Sequence, residues 1–464
     1  MLNKMGVVYY LFHPYQLRSI IQWKLWHNAV HQRDPSSESA TLRECFRFLD
    51  MTSRSFAAVI QELNPELLVP ITLFYLVLRG LDTIEDDMTI PVEEKVGYLQ
   101  NFYKTMSQDG WQFHDSNEKD RELLEKFDVV VTELKKLKQP YFDIIQDIAR
   151  KMGQGMADYV QNTKMIEDGI ETIDEYELYC HYVAGLVGEG LTRLFVRSEL
   201  GNPKLLERPS LMESMGQLLQ KTNIIRDIHE DWQDGRRWYP KEIWSKHVEE
   251  WEHMFDGRHR QQAINCVSEM VLDALKHVEE CLFYMAGMRE QSVFNFVVIP
   301  QTMAIATLEL VFRNPAVLGR NVKITKGDAC QIMIESTQNL SAACNVFRRY
   351  VRRIQAKNDP RDPNYLAMSV RCAKIEQFIE TLYPRLDVRK LELDNATNAK
   401  KEPAMSSAET FMLFAVVTAC LLVVSGIMIG AAWLMGARFP IMSELSQLTG
   451  TLFSRPATDR RDEL

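Results

Sequence analysis

No two cysteines in this 464-residue chain stand close enough to form a CxxC pair. All eight (Cys45, Cys180, Cys266, Cys281, Cys330, Cys344, Cys372 and Cys420) are scattered, and no histidine spacing beside them suggests zinc. A reduced compartment is the reading that fits. A long basic run is also missing, and the formal net charge is −9. There is thus no electrostatic footprint for a phosphodiester backbone, and no nucleic acid is expected as a partner. The opening "MLNKMGVVYYLFHPYQL" sets His13 and Pro14 where a secretory signal needs an unbroken apolar stretch. Strand-like alternation is nearly absent, and no internal repeat of short fixed period recurs. "GLVGEG" (Gly185 to Gly190) has the wrong glycine order for a dinucleotide fingerprint and follows no strand.

What is present points to a large helical core. Hydrophobic residues make up 46% and charged residues 25% of the chain, enough to bury one big domain or two smaller ones. "RELLEKFDVVVTELKKL" (121–137), "HYVAGLVGEGLTRLFV" (181–196), "INCVSEMVLDALKHVEECLFYM" (264–285) and "CAKIEQFIETLY" (372–383) repeat apolar residues at three- and four-residue spacing. The expected fold class is all-α, with many helices around one core spanning residues 1–392.

The C-terminal end has a different character. From Phe411 to Ala437 no charged residue occurs, and at 1.5 Å per residue such a helix would be roughly 40 Å long, enough to cross a bilayer with some tilt. A transmembrane tail anchor is expected at 411–437, after a polar tether at 393–410 and before a short tail at 438–464. The tail ends "RDEL", close to a lumenal retrieval signal, which agrees with a tail anchor in the endoplasmic reticulum membrane and a cytosolic catalytic domain. Gly426 and Gly430 form a GxxxG inside the span that would suit self-association. Asn339 and Asn395 begin glycosylation sequons, which this topology would leave unmodified.

The chemistry is concentrated in a pattern that occurs twice. "ITLFYLVL" (Ile71 to Leu78) runs into Arg79 and then Asp82, Glu85 and Asp86, and "MGQLLQKTNIIRD" runs into Arg226 and then Asp227, Glu230 and Asp231. At average acid frequencies a chain of this length should hold about 0.15 copies of D-x-x-E-D by chance. Residues at i, i+3 and i+4 share a helix face, so each copy projects three carboxylates from one patch. A solvated helix end is the bland explanation of a single copy. Two matched copies after apolar runs point to hard divalent cations, and Mg²⁺ in particular binds through a few carboxylates while taking phosphate oxygens. Two such patches facing each other would hold Mg²⁺ around a diphosphate, with the arginines as forked clamps on the same anion.

At these residues the sequence resembles a known family. "YLVLRGLDTIEDDMTI", "YCHYVAGLVGEGL", "QKTNIIRDIHED" and "SVFNFVVIPQTMAIATL" are similar to the squalene synthases, eukaryotic head-to-head prenyl-coupling enzymes, over Ser53 to about Tyr383. The resemblance implies a type I isoprenoid synthase bundle around a central apolar cavity. It implies condensation of two farnesyl diphosphate molecules to presqualene diphosphate, then reduction by NADPH to squalene, with Mg²⁺ on Asp82, Asp86, Asp227 and Asp231. Ser53, Arg54, Tyr75, Arg79, Arg226 and Arg236 match the family's diphosphate-contacting set, and Gln220 and Asn223 its pocket-lining polar groups. Tyr179 matches a tyrosine of the first half-reaction and Phe296 an aromatic of the second. Core packing is the rival role for both rings. The small residues after Tyr179 (Ala184, Gly185, Gly188, Gly190) call for room for a substrate chain or a close helix, and His181 reads as packed or exposed. Lys323 and Lys326 lie in "GRNVKITKGDA", similar to the family's NADPH-binding loop, although Thr325 stands where many relatives carry arginine. A phytoene-synthase-like enzyme would share the acid motifs but take longer chains, need no NADPH and usually lack the anchor. A helical adaptor would need no matched carboxylates.

Overall fold

The computed structural model describes Tyr9, residues 13–162 and residues 168–384, without the side chains of Trp26, Arg54 and Ser55. The expected tether, membrane helix and tail lie outside the described residues. Among the described residues there is no strand, only an isolated antiparallel bridge between Gly201 and Met288.

Local sequence explains the main helices. Helix α1 (Pro14–Trp26), α2 (Ala40–Thr52) and α3 (Arg54–Ile60) lead into α4 (Pro65–Asp86), which starts with Asn64 accepting from the Glu66 amide at 3.0 Å and with proline in the first turn. Helix α5 (Val92–Thr105) and α6 (Gln139–Gln161) pack side by side and against α4. Helix α7 (Ile173–Cys180) opens on a capping box between Thr172 and Glu175, passes into a five-residue π-helical segment (His181–Gly185) and continues as α8 (Leu186–Arg197). Helix α9 (Pro209–Gln233) is the hub, touching α7, the π segment, α8, α10 (Arg260–Ala274), α11 (Val278–Met285) and α12 (Gln291–Val311). Helix α13 (Lys326–Ser336), α14 (Leu340–Lys357) and α15 (Tyr365–Leu382) close the far side.

By length and composition α4 and α12 could each cross a membrane, yet their apolar windows are 72% and 78% buried within the protein. They are core helices. The run at 121–137 is not one helix: it breaks at Lys126 into Arg121–Glu125 and Phe127–Leu134. Residues 264–285 likewise pass through a short 3₁₀ turn at Leu275–His277 between α10 and α11.

Close helix approach explains the small-residue face after Tyr179. A Cβ on Gly188 would lie 2.4 Å from the Met212 carbonyl oxygen, and one on Gly216 would lie 2.4 Å from that of Ala184. The π segment and α8 therefore ride directly on the backbone of α9, and the glycines serve that contact. At the other end of the chain, α1 lies on α13, where a Cβ on Gly327 would meet the Gln16 Cβ at 2.3 Å. Gln16 also accepts from the Thr325 hydroxyl at 3.0 Å.

Candidate active site

Both acid motifs sit on the last turns of long buried helices, which is where an apolar core can present charge to a cleft. On α4, Arg79 stands 3.8 Å from Asp82 and donates to the Tyr75 hydroxyl at 3.4 Å. Among the described residues its buried Nε has no acceptor, so a guanidinium donor is left for a further anion beside Asp82. The end of α4 is fixed from outside the site. Lys95 donates to the Glu85 carbonyl at 2.7 Å, and Asp87 accepts from Thr89, Ser116 and the Asn117 amide. That last set of hydrogen bonds outweighs burial and holds Asp87 down at about 2, so the acid beside the motif is a structural one.

The three carboxylates of the motif face a different environment. Asp82 keeps 32% of its side chain accessible, yet removal from water pushes it up to about 6, with Arg79 opposing and Asp86 adding to the rise. Desolvation, then Asp86 and Asp82, carry Glu85 up to about 8. On α9, loss of water raises Asp231 to about 6, with Arg236 opposing and Asp227 adding. Arg226 folds onto its neighbour Asp227, and Arg236 reaches Asp231 at 3.2 Å across the turn that ends α9. Gln220 is half-buried and Asn223 exposed on the same helix.

Tyr179 links the two motifs. Its ring is 8% exposed, and desolvation together with the charges of Glu85, Asp86 and Asp231 lifts its phenol well above the usual tyrosine value. Glu85 in turn feels Arg236 from beyond α9. Acids from α4 and α9 thus converge on one neutral phenol at the end of α7. Trp238 stacks on Tyr179 at 4.2 Å and 13°, and Tyr159 stands 4.9 Å away, making an aromatic wall.

The remaining candidates divide. Ser53 caps α3, accepting from the Phe56 amide at 3.3 Å, and Arg54 begins that helix. Phe296 is buried in α12, edge-on to Phe195 at 6.1 Å. Lys323 and Lys326 are exposed, and neither forms an ion pair among the described residues. Thr325 caps α13 through the Asp328 amide. His181 is half-buried and paired with Glu213 at 2.8 Å.

Sequence reasoning missed Asn321, Trp238 and Tyr159. The Asn321 amide donates to Asp227 at 2.6 Å and to Glu230 at 2.8 Å, so the loop before α13 is tied to the second motif. Its only sequence signal was membership of the basic loop. Among the described residues no three carboxylate, histidine or cysteine groups converge into a ready-made cation cage. The donor set is oxygen-only, with an arginine beside each motif, and loss of water raises Asp82, Glu85 and Asp231. Such a set fits Mg²⁺ ions that bring phosphate oxygens and water to complete their shells.

Comparison with known proteins agrees with this geometry. The squalene synthase of Gibberella zeae is 72% identical over 94% of each chain, and a probable squalene synthase of Neurospora crassa is 64% identical over 97% of this chain and 94% of that one. A solved structure described as TcSQS in complex with the ligand E5700 superposes with a TM-score of 0.71 at 40% identity, covering 74% of this chain and 99% of the other. The family profile described as Squalene/phytoene synthase matches residues 49–328, and with these relatives it establishes that the chain belongs to the squalene/phytoene synthase family.

Proposed function

We propose that this protein is a squalene synthase, a farnesyl-diphosphate farnesyltransferase that couples two farnesyl diphosphates head to head and reduces the presqualene diphosphate formed to squalene. The observation that carries the reading is the pair of matched carboxylate motifs that end α4 and α9, each with an arginine paired to it.

In the first step a C1–O bond breaks, diphosphate leaves, the allylic cation is captured by the double bond of the second molecule, and a proton is lost as the cyclopropane closes. Asp82, Glu85 and Asp86 on one side and Asp227, Glu230 and Asp231 on the other hold Mg²⁺. Bound Mg²⁺ supplies Lewis-acid assistance to the departing diphosphate. Arg79, Arg226 and Arg236, with Ser53, Arg54 and Tyr75, bind diphosphate oxygens, a role supported for Arg79 by an Nε that has no acceptor among the described residues. Gln220 and Asn223 orient the chains near the second motif. Tyr179 steers the cation and relays the departing proton, its own O–H proton passing to the released diphosphate as it takes up the one lost from the substrate, a role supported by the aromatic wall beside it, which excludes water. Phe296 offers a ring face to the cation of the second step.

When bound, NADPH would supply the hydride for the reduction of the second step. Lys323 and Lys326 bind its phosphates, supported by their exposure and by the Asn321 link between their loop and Asp227. The catalytic unit covers residues 1–392. A polar tether (393–410), a tail anchor (411–437) and a lumenal tail (438–464) hold it on the cytosolic face of the endoplasmic reticulum.

Product analysis with farnesyl diphosphate and Mg²⁺, with and without NADPH, tests the reading. Squalene is expected with reductant and presqualene diphosphate without it, and Asp82→Ala and Asp227→Ala should each abolish consumption of substrate. A wild-type protein that consumes only geranylgeranyl diphosphate would overturn it in favour of a phytoene-forming enzyme.

A further inference from the structure

Behind the site, Lys221 is fully buried on α9, six residues before Asp227. Its ammonium donates to Asp273 of α10 at 2.7 Å and to Glu177 of α7 at 3.0 Å, and it stands 5.4 Å from the Tyr176 ring centre. Asp273 is also paired with Lys276. One turn earlier on α9, Gln217 donates its amide both to the Glu177 backbone carbonyl and to Glu213, each at 2.8 Å. Glu213 in turn holds His181 at 2.8 Å. The residues two before and two after Tyr179 are therefore gripped by the same helix that carries Asp227 and Asp231.

Taking an ammonium out of water costs several kcal/mol, and a buried ion pair is often no more stable than well-packed apolar groups of the same size. Stability alone therefore accounts poorly for Lys221. Position accounts for it better. Helix α7 has only eight residues and runs straight into the π segment, whose backbone ladder departs from the α pattern. Its height against α9 needs an external reference, and the Lys221–Glu177 contact provides one.

We infer that Lys221 is a positioning residue: through Glu177 it fixes Tyr179 relative to the second acid motif, and so governs the first coupling step. The inference rests on the squalene synthase reading. Glu177→Ala is the primary test, because this carboxylate is 39% exposed and its loss leaves Asp273 to neutralise Lys221. The two half-reactions are measured separately in the full-length protein, the second by supplying presqualene diphosphate with NADPH. The expected result is a first half-reaction slowed about ten- to a hundredfold, as sub-ångström to 1 Å misplacement would cause. The KM for farnesyl diphosphate and the second half-reaction should stay within about twofold, and Glu177→Gln, whose amide oxygen can still accept from Lys221, should regain most of the rate. Lys221→Met should show the same selective loss with a lowered Tm. Equal losses in both half-reactions, rates unchanged in Glu177→Ala, or failure of that variant to fold would each overturn the positioning role. Failure of the parent reading is visible separately, as a wild-type protein that does not consume farnesyl diphosphate.

Discussion

Gly216→Ala and Gly97→Ala make the same chemical change in two helices and should have opposite effects. An added Cβ at Gly216 would stand 2.4, 2.5 and 2.7 Å from three backbone atoms of Ala184 and Gly185, about 1 Å inside ordinary van der Waals contact. Backbone cannot swing aside, so α9 and the π segment must separate. Overpacking of this severity costs about 3 kcal/mol, offset by the roughly 1 kcal/mol that alanine gains over glycine in a helix. The net loss of about 2 kcal/mol corresponds to a Tm lower by about 2–3 °C in a unit of this size. At Gly97, on the exposed side of α5, nothing lies within 4 Å, so the propensity gain stands alone and Tm should rise by about 1 °C. Thermal unfolding by circular dichroism reads both. Coupling of farnesyl diphosphate should fall at least tenfold in Gly216→Ala, because Tyr179 and Asp227 sit on the two surfaces being pushed apart. A Gly216→Ala protein as stable as Gly97→Ala would refute the close-packing argument, and one destabilised but fully active would show that this spacing does not set the site.

The same geometry carries three further expectations. Asp82 and Asp231 at about 6 and Glu85 at about 8 titrate above their unfolded values, so the metal-free fold loses stability as pH rises from about 4 to about 8. Mg²⁺, which binds the deprotonated groups, should restore it, and the Mg²⁺-induced rise in Tm should therefore grow from pH 6 to pH 8; a pH-independent effect would place the cation elsewhere. Asn321→Ala should raise the KM for NADPH severalfold while leaving presqualene diphosphate formation within about twofold, and an equal loss in both would separate this loop from the reductant. Asn339 caps α14 by accepting from the Ala342 amide at 2.9 Å, so Asn339→Ala should destabilise by about 1 kcal/mol in chemical denaturation, and an unchanged midpoint would show that the cap contributes nothing.

The two acid motifs of the candidate site were legible because they are written in fixed spacings. The two D-x-x-E-D copies end apolar helices, and those helices could be read from the runs before them, Ile71 to Leu78 and Met215 to Asp227. Tyr179 was found through resemblance, and the structure supplies its physical context. Other features could not be read because they depend on partners distant in sequence. Asn321 reaches across 94 residues to Asp227, and Trp238 stacks on a ring 59 positions earlier. The choice between substrate room and close packing for Gly188 rested on whether another backbone lay opposite, which periodicity does not encode. The break at Lys126 interrupts a pattern whose apolar spacing is uniform on both sides.

The π segment at His181–Gly185 has a consequence for how this enzyme can be re-engineered. Relative to an α-helix it contains one surplus residue, a phase shift of about 100° between the α7 turns on its N-terminal side and the α8 turns on its C-terminal side. Tyr179 lies before the shift, and Gly188, which touches α9, lies after it. Deleting a single codon within the segment would restore a regular helix and rotate the tyrosine away from the acids while every remaining side chain kept its identity. No point substitution achieves that, and a library of one-residue deletions across 181–185 would separate the orientation of the phenol from its chemistry.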